Sequence, residues 1–411
     1  MRNAFTLIEL LVVIAILAVL AVVVVLTLNP AGLLQEARDA NRISDMATIN
    51  NALGLSLADS SSESLGSANT VYVSVPDPTA TTTAGDQCQG LGLLVLPSGW
   101  SYQCAASSTY RKTDDTGWIP VNLSANTFGS SMVQLPIDPV DTTSSRHYYT
   151  YETDGSGHYE TTAAFESAKY RLGGTSDQIS GDGGTLASVY EKGSRLGMEP
   201  LDYGDSSLVG LWTFDEGTGG TVYDYSGSNA TGSWNGTGAH WAAGRIGSYA
   251  GQFATTTSDY VNTGGNPAPL RIIGNALTEV SWVYPQDGTD LQFITAKSGA
   301  YQLILGGGYV GAYQYGTTPP GYQYSTNPVS LNAWTQVAYV YNGSNITFYV
   351  NGVPNGSTSK TGTITDSGSA TMIGWDGFGG HVSFSGLIDD VRVYSRALSS
   401  AEIAALYAGG K

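Results

Sequence analysis

From Phe5 to Leu28 the chain runs 24 residues, 21 of them apolar, with Glu9 as the only formal charge. A helix rising 1.5 Å per residue carries that run through about 36 Å, enough to cross a hydrocarbon layer roughly 30 Å thick. No other stretch restricts the fold so strongly, because a segment this apolar has to be covered by lipid or by other protein. A secretory signal peptide has a shorter apolar core followed by a small-residue cleavage site, whereas Ala15, Ala18 and Ala21 lie inside an unbroken run. A plain membrane anchor leaves Glu9 unexplained, since an ionisable side chain within a membrane helix costs about 2.5–3.5 kcal/mol on insertion scales. Such a carboxylate needs a partner.

The residues Ala4-Phe5-Thr6-Leu7-Ile8-Glu9-Leu10-Leu11-Val12-Val13 resemble the class III leader and first helix of type IV pilins and type II secretion pseudopilins. The resemblance implies that residues 1–4 are a leader and that prepilin peptidase cuts on the cytoplasmic side between Ala4 and Phe5. It also implies that the Phe5 amine becomes N-methylated and that Glu9 is the glutamate of subunit assembly. That family usually has glycine before the cut, where this chain has Ala4. The physics agrees: a carboxylate in lipid is neutralised by the free ammonium of a neighbouring subunit, which rewards assembly and sets axial register. Arg2, the lone positive charge ahead of the apolar run, keeps residues 1–4 in the cytoplasm and places the chain beyond about residue 30 outside.

Asn29-Pro30 is expected to break or kink the helix, since proline lacks a backbone donor and disfavours helix at the residue before it. Over 31–57, Met46, Ile49, Leu53 and Leu57 recur at spacings of three and four, with Arg38, Asp39, Arg42 and Asp45 on other faces. This amphipathic half of the stalk can form a coiled coil or lie on the chain's own head; the short repeat and Gly54 favour the head. Residues 58–75 are Ser-rich and Asp77 to Gly85 form a Pro/Thr loop. Cys88 and Cys104, in an exported segment, are expected to form a disulfide, whose loop contributes about 3 kcal/mol in the chain-entropy model. His147 to Tyr151, then Tyr159 to Phe165, read as two alternating strands around Asp154-Gly155, similar to the head sheet of major pseudopilins. Those pseudopilins often hold calcium beside the sheet, and Asp138, Asp141, Asp177 and Asp182 are oxygen ligands of the right kind. The head is expected to span 58–198 and an acidic linker 199–206.

Beyond Ser207 the sequence changes to short runs between turn signals: Leu208 to Phe214, Gly251 to Phe253, Val280 to Tyr284, Gln292 to Ala296, Gln302 to Leu305, Trp334 to Tyr341 and Ile346 to Val350. Many short strands without long helices indicate a β-sandwich, and Asn351-Gly352 is a hairpin turn in which both residues tolerate positive φ. The stretches Leu208 to Gly217, Asp224 to Gly227, Ser281 to Pro285 and Phe384 to Leu398 resemble the laminin G-like, concanavalin A-like lectin/glucanase jelly roll. That family often carries calcium at one edge, and Asp389-Asp390 with Asp215 or Asp224 are the matching candidates, although alternation lets only one of Asp389 and Asp390 face a given site. The same aspartates can equally serve loop amides as Asx turns. Glycosidases need two carboxylates at close alternate spacing, and Glu279 stands alone in its strand, read as solvent-exposed or a polar ligand contact. Tyr313, Tyr315, Tyr322 and Tyr324 flank a Gly316 to Gly321 loop, and with Trp234, Trp241 and Trp375 they can stack on sugar faces. The other reading is that alternate tyrosines are sandwich core and the rest ordinary surface.

Composition narrows the function. With 17 Lys and Arg against 34 Asp and Glu the net charge is −17, which excludes nucleic acid as the main partner. Two cysteines and four scattered histidines do not supply a Cys/His zinc site. Segment charges of −1 for 1–57, −11 for 58–206 and −5 for 207–411 put most acidity in the head, where packed subunits would repel unless cations intervene. The expected architecture is an α+β pilin fold, with a long N-terminal helix (transmembrane 5–28, amphipathic 31–57) and an antiparallel sheet head, followed by an all-β jelly-roll sandwich over 207–411. The expected function is a non-enzymatic subunit of a homo-oligomeric helical filament. It is inserted in the inner membrane, processed by prepilin peptidase, passed to the pilus assembly machinery, and displays a lectin-like sandwich to a glycan on the cell surface. The alternatives are a membrane-anchored carbohydrate-binding adhesin that does not polymerise and a surface glycan hydrolase.

Overall fold

The structure, a computed structural model, describes residues 6–59, 64–80, 88, 90–125, 132–289, 291–377 and 383–410, the side chains of 22–28 apart. The N-terminal helix α1 (Leu7–Leu28) ends at Asn29, which takes the left-handed conformation at φ 40°. Pro30 then opens a second helix, α2 (Pro30–Asp59), as its fixed φ allows at a first helical position. Asn29 also caps α2, its Oδ1 accepting from Gly32 N at 3.3 Å. A β-carbon on Gly32 would sit 2.6 Å from the Asn29 carboxamide, which would have to swing aside and give up this cap. Apolar side chains of α1 stand uncovered, Leu7 at 78 % and Val19 at 63 % exposure. Among the described residues no helix is long and apolar enough to cross a membrane; α1 has 22 residues of helical backbone, but its described side chains stop at Ala21.

α2 lies on its own head. Met46, Ile49 and Leu53 are fully buried against it, together with Trp118, Tyr149 and Phe165. Asp39 and Arg42, expected on other faces, are fully buried too and continue the same stripe toward the N-terminus. They tolerate burial because their charges are answered. The Arg42 guanidinium donates to Asp138 at 2.6 and 2.8 Å and to Asp39 at 2.7 Å, and lies 2.7 Å from Glu166. Asp39 in turn accepts from the Glu166 and Ser167 amides.

The head sheet has five strands: β1 (Thr70–Asp77), β2 (Ser101–Ala106), β3 (Tyr149–Thr153), β4 (Tyr159–Ala164) and β5 (Val189–Gly193), in the order β2-β1-β3-β4-β5. The hairpin around Asp154-Gly155 is β3 and β4. β1, inside the segment read as Ser-rich loop, is buried on both faces, with Val71 and Val73 in one core and Tyr72 in the other. Because β2 pairs parallel to β1, the sheet is mixed and not purely antiparallel. The Cys88–Cys104 disulfide ties β2 to the segment before it.

Two eight-stranded sheets form the second module. One runs Val353–Ser359, Asn345–Val350, Thr335–Tyr341, Leu277–Pro285, Gly386–Tyr394, Tyr249–Phe253 and Trp241–Ala243, with Leu208–Trp212 also paired to Gly386–Tyr394. The other runs Gln323–Pro328, Tyr309–Gln314, Tyr301–Gly306, Leu291–Lys297, Thr371–Ile373, Tyr260–Asn262, Gly232–Asn235 and Thr221–Val222. Trp212, Phe214, Phe253, Ile294, Leu303 and Ile388 fill the space between them. Asn351 and Gly352, at φ 50° and 77°, make the expected hairpin turn. A closing helix, α3 (Ser400–Gly409), packs beneath.

Residues 199–206 are not a free linker. Leu201 and Tyr203 are buried, and the Tyr203 ring stacks on Tyr148 at 4.9 Å. Asp202 is fully buried, accepting from the Ala187 and Ser188 amides and from Arg392 of the sandwich at 3.1 Å. The acidity that suggested a solvated tether instead answers buried donors. Head residue Gly173, at φ 74°, meets α3 so closely that a β-carbon would lie 2.6 Å from Glu402 N.

Glu279 is not at the surface. It is fully buried between the sheets, accepting from Thr295 Oγ1 at 2.6 Å and from the Tyr339 hydroxyl at 2.5 Å, and burial pushes its pKa up to about 7. The folded state thus holds this proton more tightly than the unfolded chain does, so its contribution to stability is complete below about 4.5 and is lost as the pH rises through 7. Thermal unfolding of the full chain between pH 5 and pH 8 is expected to show a smaller fall in Tm for Glu279→Gln than for the wild type; parallel curves would count against this origin. Arg42→Leu, which leaves the buried carboxylates of Asp39 and Asp138 without their cation while Glu166 keeps Arg38, is expected to cost about 3–5 kcal/mol in urea denaturation, and an unchanged midpoint would refute the clamp.

Candidate functional site

At the N-terminus, Ala4 and Phe5 lie outside the described residues. Glu9 is exposed at the start of α1, where its Oε2 accepts from the Thr6 amide and hydroxyl at 2.8 Å each, while Thr6 Oγ1 accepts from Glu9 N at 3.3 Å. This reciprocal cap holds the carboxylate over the first turn. The sequence reading placed Glu9 for pairing with another subunit's amine; within one chain it satisfies its own helix end.

On the sandwich, the outer face of the sheet carrying Tyr309–Gln314 gathers four tyrosines from two strands and the loop between them. Tyr313 lies 4.1 Å from Tyr315 and 5.4 Å from Tyr322, and Tyr322 lies 6.2 Å from Tyr324, ring centre to ring centre. Alternation explains the placement: Val310 and Ala312 point into the core, so Tyr313 points out. The first three rings are half-buried and Tyr324 is exposed. Tyr322 donates to Gln302 Oε1 at 2.7 Å; burial, with Tyr315 and Asp376 close by, pushes its phenol up, so it stays a neutral donor. The sequence offered no sign of Lys360. This fully buried side chain donates to the Pro319 and Gly321 carbonyls at 3.0 and 3.2 Å and sits 5.5 Å over the Tyr313 ring, bracing the glycine loop beneath the cluster.

The tryptophans divide. Trp375 is half-buried, 4.8 Å from Tyr260 and next to Asp376. Trp234 is a correction: only 9 % exposed, it belongs to the core with Phe214 and Phe253 and stacks on His240 at 4.5 Å. Trp241 packs edge-on against Trp234 and Phe214 and donates to Gly219 O. Trp234 therefore presents no free face of the kind a sugar platform needs, while Trp241 is half-buried.

Asp215 and Asp390 both lie near enough to Asp389 to raise its carboxyl, whereas Asp224 serves a turn of its own. Asp224 accepts from the Leu211, Ser226 and Ala230 amides, the Asx-turn arrangement. Asp215 accepts from the Ser248 and Tyr249 amides. Asp389 and Asp390 part company at a bulge in which Asp390 adopts φ 49°. Asp389 Oδ2 accepts from the Arg245 and Ile246 amides, whereas Asp390 grips the Arg392 guanidinium at 2.9 and 3.0 Å. Burial, reinforced by Asp390, pushes the Asp389 carboxyl up to about 8. In the head, Asp138 serves Arg42, Asp141 accepts from Ser74 at 3.0 Å, and Asp177 and Asp182 hold loop amides. Among the described residues no group of three or more His, Cys, Asp or Glu is arranged to hold a metal ion. A cleft of about 530 Å³ opens where head meets sandwich, lined among others by Trp100, Met198, Tyr225, Tyr249, Asp215 and Asp390.

Comparison with known proteins places two segments. Residues 1–25 match the prokaryotic N-terminal methylation motif, and residues 255–404 match the concanavalin A-like lectin/glucanases superfamily. No curated protein matches the chain. Among solved structures, domain 4 of AbnA, a GH43 extracellular arabinanase from Geobacillus stearothermophilus in complex with arabinotriose, is similar at 19% identity and a TM-score of 0.39, over 48% of this chain and 97% of that one. The binding domain of Paraclostridial Mosquitocidal Protein 1 is similar at 16% identity and a TM-score of 0.39, over 49% of this chain and 52% of that one. The receptor binding domain of botulinum neurotoxin D is similar at 14% identity and a TM-score of 0.36, over 49% and 52%. The chain therefore joins a prokaryotic N-terminal methylation motif to a concanavalin A-like lectin/glucanase domain.

Proposed function

We propose that this chain is a non-enzymatic surface protein whose stalk enters a pilus or pseudopilus-like filament and whose sandwich binds a glycan through the Tyr313, Tyr315, Tyr322 and Tyr324 face. In this reading it is made as a membrane-anchored precursor, processed by prepilin peptidase at Ala4-Phe5 and handed to the pilus assembly machinery. The observation that carries the sugar half is the tyrosine cluster: ring faces for stacking, phenol hydroxyls at their edges, and a loop braced from below by Lys360. The filament half is supported by the methylation motif and by the uncovered apolar side chains of α1, which need lipid or neighbouring subunits.

The two halves separate experimentally. Glu9→Ala is expected to abolish or misregister filaments seen by electron microscopy of expressing cells, while the chain stays inserted in the membrane; regular filaments from this variant would overturn the role given to Glu9, and no filaments from the wild type would favour an anchor that never polymerises. Tyr313→Ala combined with Tyr322→Ala is expected to lower retention of the detergent-solubilised full chain on cell-wall polysaccharide at least tenfold, about 1.4 kcal/mol. Equal retention of the double variant, or none by the wild type on any glycan of an array, would remove the sugar site.

A further inference from the structure

At one end of the second sandwich sheet, three side chains from three segments converge. Lys297 closes the strand Leu291–Lys297, Asn266 follows the strand Tyr260–Asn262, and Asp366 precedes the strand Thr371–Ile373. The Lys297 side chain is fully buried, and its Nζ donates to Asn266 Oδ1 at 2.6 Å and to the Ser369 carbonyl. Asp366 reaches both partners: its Oδ1 lies 3.4 Å from Lys297 Nζ, and its Oδ2 accepts from Asn266 Nδ2 at 3.5 Å. Asp366 is itself held, with Oδ1 accepting from Gly368 N at 3.2 Å. Arg271, whose Nε donates to the Asn266 carbonyl at 3.0 Å, brings a further positive charge. A lysine enclosed with one carboxylate and one carboxamide can serve as an ion-pair partner. It is equally a nucleophile set against an acyl carbon with a proton carrier beside it.

We propose that Lys297 and Asn266 join in an autocatalytic isopeptide bond, with Asp366 as the proton carrier. In the step, Lys297 as the free amine attacks Asn266 Cγ; the Nζ–Cγ bond forms, the Cγ–Nδ2 bond breaks, and Nδ2 leaves as ammonia. The proton shed by Nζ passes to Asp366 Oδ1, and the carboxyl returns a proton to the departing nitrogen at Oδ2. Atoms balance with no oxidant, reductant or added reagent: an amine and a carboxamide give a secondary amide and ammonia. Burial favours the neutral amine that the attack requires, and Arg271 adds to it, against the opposing pull of Asp366. The strand Thr371–Ile373 pairs on one side with Leu291–Lys297 and on the other with Tyr260–Asn262. The new bond therefore spans it and links its two neighbours at a point where 31 residues separate the ends. A covalent loop of that size constrains the unfolded chain as a disulfide does.

Mass spectrometry of the denatured full chain, with peptide mapping, tests this directly. The wild type is expected to be lighter than its processed, disulfide-bonded sequence by the mass of one ammonia, and to yield a branched fragment containing both Asn266 and Lys297. Lys297→Arg and Asp366→Ala should each return the full mass and two linear fragments. Linear fragments with unmodified Asn266 and Lys297 from the wild type would overturn the bond. So would an ammonia deficit without a branched fragment, which marks cyclisation of an asparagine alone. Retention of the bond in Asp366→Ala would overturn the role given to that carboxylate.

Discussion

The Arg392 guanidinium, fully buried where sandwich meets head, is held by Asp390 on its own strand and by Asp202 across the seam. Arg42 stands in the same situation where stalk meets head, among Asp39, Asp138 and Glu166. A buried charge is tolerable only when every partner is in place, because its desolvation is offset by nothing else. Each guanidinium therefore specifies one docking geometry: a shift of either interface would strand a charge away from water. The tyrosine face, the seam cleft and the direction of the stalk inherit their relation from these two sites.

What could be read from the sequence followed from period and punctuation. Glu9 in an apolar run, Asn29-Pro30, the β3–β4 hairpin and the Asn351-Gly352 turn each carry local signals strong enough to survive without tertiary context. β1 did not, because its Val71, Tyr72, Val73 and Val75 sit inside serine, threonine and asparagine, and a strand buried on both faces loses the alternation that would mark it. Polar residues misled in one direction. Asp39, Arg42, Asp202 and Glu279 looked solvated because partners that answer them lie far away in sequence: Asp39 accepts from amides 127 and 128 residues on, Arg42 meets Asp138 96 residues on, and Asp202 meets Arg392 190 residues on. In the candidate site the four tyrosines were legible as a cluster flanking a loop, whereas Lys360, Gln302 and Asp376 reach them only through folding. Trp234 was misassigned because a glycine-rich flank reads as an open loop, although its strand Gly232–Asn235 turns it inward.

The charge balance also takes another meaning. Part of the head's acid is internal: Asp138, Glu152, Glu160, Glu191, Glu199 and Asp202 are all buried. Glu160 accepts three backbone amides from residues 197–199. Burial raises both Glu152 and Glu199, the latter to about 7, so this neighbouring pair resists double ionisation. The surface field between packed heads is thus weaker than a net of −11 suggests, and the carboxylates act as backbone acceptors organising the last turns before the sandwich.

Because residues 199–205 are packed, no slack segment joins sandwich to head among the described residues. A force applied to the far face of the sandwich would pass through Arg392 and Asp202 into the head, through β3 and β4 into Arg42 and its carboxylates, and so into α2. Such a subunit would work as a lever, with the left-handed Asn29, where α1 and α2 meet, marking the bend between the two halves of the stalk.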